Sequence, residues 1–175
     1  MYKACKIRNV NEKDLPMLLE WRNHPDIRQF MFTTHLIESS EHNRWFETAN
    51  QDKSRRLLIV MESENPLGFV QFSKVEAGGV ADWGFYVRPN SPRGKGKLVG
   101  IAALNHAFIN LKLHKVCGQA IASNNLSIKF HQRLGFQLEG LLRDQYFNDD
   151  KYQNIYCFGL IIDEWKSKKI FQESV

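Results

Sequence analysis

Cysteine is scarce in this chain: Cys5, Cys117 and Cys157 are the only three, far apart and each inside a strand-like apolar run. An odd number at that spacing excludes a disulfide scaffold or a thiolate zinc site, so buried reduced thiols and no metal are expected. Long hydrophobic runs are also missing. Nothing approaches the roughly 18 consecutive apolar residues that cross a bilayer, and "MYKACKIRNV" has no apolar signal core, so no membrane partner and a cytoplasmic location are expected. There is no internal repeat, linker or low-complexity stretch, and 175 residues suit one domain spanning 1–175. With 43% hydrophobic and 25% charged residues, the composition is that of a folded globular protein and excludes a disordered or collagen-like chain. Acidic residues are outnumbered, 19 against 24 Lys and Arg, for a net charge of +5. That excess suits phosphate-bearing partners, whether nucleic acid or phosphorylated small molecules, without choosing between them.

The pattern of apolar residues alternates between helix and strand. "KACKIRNV" reads as a strand, followed by a helix capped by Asn11, carrying Leu15, Leu18 and Leu19 at helical spacing and ended by Pro25. "ESSEHNRWFETANQ" predicts a second helix with Trp45 and Phe46 facing inward. "RLLIVME" and "LGFVQFSKV" form a hairpin, and "ADWGFYVRP" adds a strand. The helix "KLVGIAALNHAFINL", the strand "KVCGQAIAS", a short helix from Asn124 to Gly135 and a closing hairpin turned at "NDD" complete the order. The predicted class is α+β, with one central, mostly antiparallel sheet.

Basic residues concentrate at one place, "VRPNSPRGKGKLVG", immediately before the apolar helix. The first N–H groups of a helix lack partners and carry partial positive charge, so a glycine-rich entry makes a seat for an anion. Gly94 and Gly96 let backbone approach a pyrophosphate, and Arg93, Lys95 and Lys97 add full charges. A Walker loop would need Ser or Thr where Leu98 stands, and a dinucleotide fingerprint would need glycine where Val99 stands.

The strand, the Arg-Gly-Lys-Gly loop, the long helix, the next strand and then "NNLSIKFHQRLGF" together resemble the GNAT superfamily of acetyl-CoA-dependent N-acetyltransferases. The resemblance implies a splayed parallel strand pair at the acetyl-CoA site. Phe85, Tyr86 and Val87 would offer backbone to pantetheine and polarise the thioester carbonyl, with Arg93 to Lys97 on the pyrophosphate. Asn124 and Ser127 match positions that touch the cofactor arm, and Phe130 would line it. Ser91 stands where the family pattern usually begins with Gln or Arg. A second departure is His131, which occupies the place of the tyrosine that protonates the departing thiolate in the family. The expectation is that His131 serves as the general acid.

The acceptor is suggested by "EWRNHPDIRQFM", the "EHNRWF" of residues 41 to 46 and "LGFVQFSKV", which resemble the N-acetyltransferases of pseudaminic acid biosynthesis. That likeness implies acetylation of the 4-amino group of UDP-4-amino-4,6-dideoxy-N-acetyl-β-L-altrosamine, with the sugar destined for flagellin or surface polysaccharide. It places Arg22, Met31, Phe32 and His42 around the acceptor, with Trp45, Ser73, Lys74 and Tyr86. A uracil ring wants an aromatic face and a diphosphate wants cations, which these residues supply. Direct attack by a neutral amine is expected, without an acyl-enzyme, and Glu62 or Glu139 could relay a proton through water. Two other readings stay open: a ribosomal-protein-type Nα-acetyltransferase, and a catalytically inactive acyl-CoA or RNA-binding module. The closing hairpin has an edge through which a homodimer could form.

Overall fold

Seven strands form one mixed sheet in the computed structural model, which describes residues 5–168. In chain order the strands are β1 (Lys6–Asn9), β2 (Arg56–Glu62), β3 (Asn65–Ser73), β4 (Val80–Val87), β5 (Lys115–Ile121), β6 (Gln137–Asn148) and β7 (Lys151–Ile161). Their spatial order is β1-β2-β3-β4-β5-β7-β6. Every neighbouring pair is antiparallel except β4 and β5, which run parallel and pair only from Val80–Lys115 to Asp82–Cys117. The α+β class with a splayed parallel pair is therefore as expected.

The helices are α1 (Leu15–Asn23), α2 (Pro25–Arg28), α3 (Ser39–Gln51), α4 (Lys95–Asn105), α5 (Asn125–Leu134) and α6 (Ile162–Lys166). Asn11 caps a 3-10 turn, Glu12–Asp14, that leads into α1. The carboxylate of Asp14 accepts two hydrogen bonds from Arg8 and one from the Asn11 N–H, which ties this entry to β1. As expected, α1 ends just ahead of Pro25, and the same proline also begins α2. The break is at His24, whose ψ of 133° is extended, and proline is well tolerated in a helix's first turn because its missing N–H would be unpaired there anyway. Beyond Asn105, α4 continues as a single π-helical turn, His106–Asn110.

Alternation along the strands gives each sheet face its own core. Phe72, Trp83, Phe158 and Leu160 pack with Leu104, Phe108, Leu134 and Trp165 from α4, its π turn, α5 and α6. Ile59, Phe69 and Tyr86 pack on the other face with Leu18, Trp21 and Phe46 from α1 and α3. Complete burial of such side chains contributes roughly 1.5–3 kcal/mol each. The thiols are half-buried rather than buried, and all three are free. No helix among the described residues is long and apolar enough to cross a membrane.

Candidate active site

Past Asp82 and Cys117 the two parallel strands separate, so the edge of β4 that faces β5 has no ladder partner from Trp83 onward. At the far end of that gap lies the entry to α4. Gly94, its N-cap, has φ 92°, a left-handed conformation that glycine adopts without penalty, and the space where a side chain would stand is open. The first turn of α4 has no acidic residue, and Lys95, Gly96 and Lys97 lie in it, with Arg93 just ahead. Gly96 faces Phe130 of α5 and Val87 of β4. These features fit an acyl-CoA: N–H groups and cations for a pyrophosphate, then an unpaired strand edge for an amide-bearing arm. Lys95 donates to Glu62 at 2.5 Å, and Glu139 pairs with Lys115. Both carboxylates considered as proton relays are thus held in ion pairs.

The side chain of Asn124 caps α5, accepting from the Ser127 N–H at 3.0 Å. One turn on, His131 is only 1% exposed and lies parallel to Phe158 with ring centroids 4.8 Å apart. The indole N–H of Trp83 donates to Nε2 of His131 at 3.2 Å. An indole nitrogen can only donate, so Nε2 is the bare nitrogen of the ring and Nδ1 carries the proton, which it donates to the Ser127 carbonyl at 2.8 Å. Burial pushes the imidazole down to about 4, against a smaller upward pull from the Ser127 carbonyl. A neutral ring with both nitrogens engaged has no proton to offer at Nε2. This geometry favours a structural imidazole over the general acid expected from the sequence.

On the opposite face, most of the residues expected at the acceptor do converge. His42 of α3 stacks on Trp45 at 5.1 Å, Trp45 meets Phe69 edge-on at 6.1 Å, and Phe69 lies 5.0 Å from Tyr86. Arg22 reaches into the same cluster, donating through Nη2 to the Thr33 carbonyl at 2.9 Å. Its other terminal nitrogen, Nη1, and Nδ1 of His42 are buried without partners among the described residues. Burial lowers the Arg22 pKa, with the Arg28 charge acting the same way, while burial and the Arg22 charge hold the His42 imidazole below its usual range. Burial raises the Tyr86 phenol well above its ordinary value. Met31 packs against the cluster. Ser73 and Lys74 are displaced along the same face: Ser73 pairs in register with Asp82, and the Lys74 ammonium lies 2.8 Å from the Asp82 carboxylate.

Tyr146, near the end of β6, carried no sequence signal. Its hydroxyl donates to the Met31 carbonyl at 3.2 Å, and its ring meets Phe32 edge-on at 5.4 Å. Phe69 was also passed over, although its place on the same strand face as Ser73 follows from alternation. Asn23 holds both backbone groups of Ile37 at 2.9 Å, and Arg28 donates to the Thr34 carbonyl, so residues 31 to 37 are pinned from several sides.

Residues 5–137 match the family described as acetyltransferase (GNAT) domain. The acetyltransferase PseH of Campylobacter jejuni subsp. jejuni serotype O:23/36 is 29% identical over 146 residues, covering 83% of this chain and 91% of that protein. The spermidine N(1)-acetyltransferase of Escherichia coli K12 is 25% identical over 156 residues, covering 86% and 82%. The crystal structure of spermidine N-acetyltransferase from Vibrio cholerae in complex with CoA and spermine superposes with a TM-score of 0.83 at 19% identity, covering 93% of this chain and 98% of that one.

Proposed function

This chain belongs to the GNAT acetyltransferases, and from that premise we propose that it acetylates the 4-amino group of UDP-4-amino-4,6-dideoxy-N-acetyl-β-L-altrosamine in the cytoplasm, as a step of pseudaminic acid biosynthesis. The enzyme is an N-acetyltransferase with acetyl-CoA as its acyl donor. One observation carries the choice of acceptor: Arg22 Nη1 and His42 Nδ1 are buried and unsatisfied beside a wall of Trp45, Phe69 and Tyr86. Buried polar atoms without partners are costly, on the order of 1–3 kcal/mol each. A ligand bearing anionic oxygens and a flat ring relieves that cost, and a UDP-sugar brings both. The similarity to PseH acetyltransferases supports the same reading.

In this reading the α4 entry holds the donor's pyrophosphate, the free edge of β4 aligns its arm, and the sugar amine approaches from the α1 and α3 face. The amine attacks the thioester carbon directly. A second reading is a polyamine acceptor, favoured by a groove between α1 and α3 that Glu12, Glu20 and Glu47 line together with His42. Three carboxylates around an apolar floor of Leu15, Leu19 and Phe46 suit an aliphatic polycation.

The test is release of free CoA thiol from acetyl-CoA by the purified protein, with the UDP-4-amino sugar, spermidine and peptides bearing free N-termini as parallel acceptors. Turnover with the sugar is the expected result. Turnover with spermidine alone would replace the sugar reading by the polyamine one, and turnover with peptides alone would reject both.

A further inference from the structure

Between the aromatic cluster and the gap that opens past Asp82 lies one uncharged polar side chain, Gln71 of β3. Gln71 pairs in register with Leu57 of β2 and Gly84 of β4. Paired residues of antiparallel strands share a sheet face, and Leu57 belongs to the α1 and α3 core, so Gln71 and Gly84 lie on the face of the aromatic cluster. Alternation puts Phe69 on one side of Gln71 and Ser73 on the other.

Gly84 lets this side chain lean across β4. A β-carbon at Gly84 would stand 3.2 Å from Nε2 and 3.5 Å from Cγ of Gln71, so the carboxamide covers the space that a side chain there would take. Asp82 makes the last rung with β5, and Gly84 is therefore already in the stretch of β4 whose β5-facing edge is unpaired. Gln71 thus carries an amide from β3 to the start of the gap. Both residues are half-buried, and the carboxamide makes no hydrogen bond among the described residues. The nearby charged groups are engaged with each other, the Lys74 ammonium lying 2.8 Å from the Asp82 carboxylate.

A free carboxamide offers an acceptor oxygen and donor hydrogens side by side in one plane. Its complement is an amine with an oxygen on the adjacent carbon: the amine donates to Oε1 while the oxygen accepts from Nε2. Two contacts fix the amine's orientation, where one would leave it free to swivel, and hold its lone pair toward a thioester laid in the gap. The carboxamide is neutral throughout and takes no proton from the amine.

We infer that Gln71 selects the acceptor, gripping the amine and the oxygen of the neighbouring carbon together and so favouring an amino sugar over a plain alkylamine. In the UDP-4-amino sugar the C4 amine stands beside the C3 hydroxyl, which is the oxygen held, whereas the amines of spermidine are flanked by methylene groups alone. Selection of this kind rests on the acetyl-transfer reading above and narrows its acceptor to amines with such a neighbour.

The experiment measures kcat/KM for the native enzyme and for Gln71→Met with four acceptors: the UDP-4-amino sugar, its 3-deoxy analogue, spermidine and a peptide with a free N-terminus. Methionine keeps the length of the side chain and its cover over Gly84 without the hydrogen bonds. Loss of the C3 hydroxyl is expected to lower the native value about tenfold, and Gln71→Met to lower it for the sugar by roughly 10- to 100-fold, with the acetyl-CoA KM unchanged. The two changes should be coupled: Gln71→Met should use the sugar and its 3-deoxy analogue equally well, because the group that told them apart is gone. Equal losses with both acceptors in Gln71→Met, or native enzyme that uses the analogue as well as the sugar, would overturn the assignment and leave the sugar reading standing. Turnover of the peptide alone, weakened by Gln71→Met, would reject the sugar and keep Gln71, since an N-terminal amine also has an oxygen on the adjacent carbon. Turnover of spermidine alone would reject both.

Discussion

The indole of Trp83 and the imidazole of His131 meet over Gly118, where β4, β5 and α5 come together. The bond fixes the imidazole tautomer, and burial of the ring sets its pH behaviour. Folded His131 has a pKa of about 4, below its ordinary value of 6.5. As pH falls through 6.5 the unfolded chain takes up this proton first, so native stability declines between pH 6.5 and 4 and the contribution of His131 levels off below that. The full loss is on the order of 3 kcal/mol. His131→Gln keeps an acceptor for Trp83 without a titrating ring. Urea unfolding at several pH values should show a shallower acid slope for the variant than for the native protein.

Gly118 is there because nothing larger fits. A β-carbon at that position would run into both the His131 ring and the Trp83 indole. Gly118→Ala is expected to cost about 2–3 kcal/mol through overpacking. That corresponds to a fall in Tm of roughly 5–10 °C for a chain of this size, readable by calorimetry.

Arg22 offers a test confined to the acceptor. Losing a buried charge-assisted hydrogen bond to a ligand costs about 1.5–3 kcal/mol, or roughly 10- to 100-fold in affinity. Arg22→Ala should raise the acceptor KM by that factor and leave the acetyl-CoA KM unchanged. Arg22→Lys should rescue little, because an ammonium cannot both hold the Thr33 carbonyl and present a second donor in the fixed fork of a guanidinium. Steady-state kinetics with each substrate varied in turn decides it.

The pair between Lys95 and Glu62 predicts the opposite kind of effect. Glu62 draws one cation of the donor loop toward β2. Partly buried pairs of this sort are worth about 0.5–1 kcal/mol. Glu62→Gln should free Lys95 for the pyrophosphate and lower the acetyl-CoA KM about two- to fivefold at low salt. The gain should shrink as salt is added.

Features written within a few neighbouring residues were legible in the sequence. The glycine-rich entry to α4 and the Asn124 cap of α5 depend on local backbone chemistry, so "RGKGK" and "NNLS" reveal them. Most of the residues that the resemblance placed around an acceptor lie together on one sheet face, because it carried them as a set. His131 was placed correctly on its helix, but its partner Trp83 is 48 positions away, and only the fold shows that the ring is engaged on both sides. Pro25 marked the end of α1 as its sequence position suggests, but that it also starts α2 was not legible, because a proline that stops one helix and a proline that starts the next look the same in sequence. Tyr146 binds a carbonyl 115 residues upstream, a separation that leaves no periodicity to detect.

That last contact bears on the order in which the protein is made. Donor-side elements lie in the middle of the chain, and α4 is synthesised well before the final hairpin. The loop bearing Met31 and Phe32 emerges early yet waits for Tyr146, and β7 must slot between β5 and β6 before the sheet is whole. Contacts between distant parts of a chain form late because the intervening loop must close first. On the ribosome, a nascent chain ending near residue 140 carries the glycine-rich entry to α4 but has no clasp for the loop bearing Met31 and Phe32. That clasp is therefore acquired only with about the last sixth of translation, and a product terminated ahead of Tyr146 lacks its contacts with Met31 and Phe32.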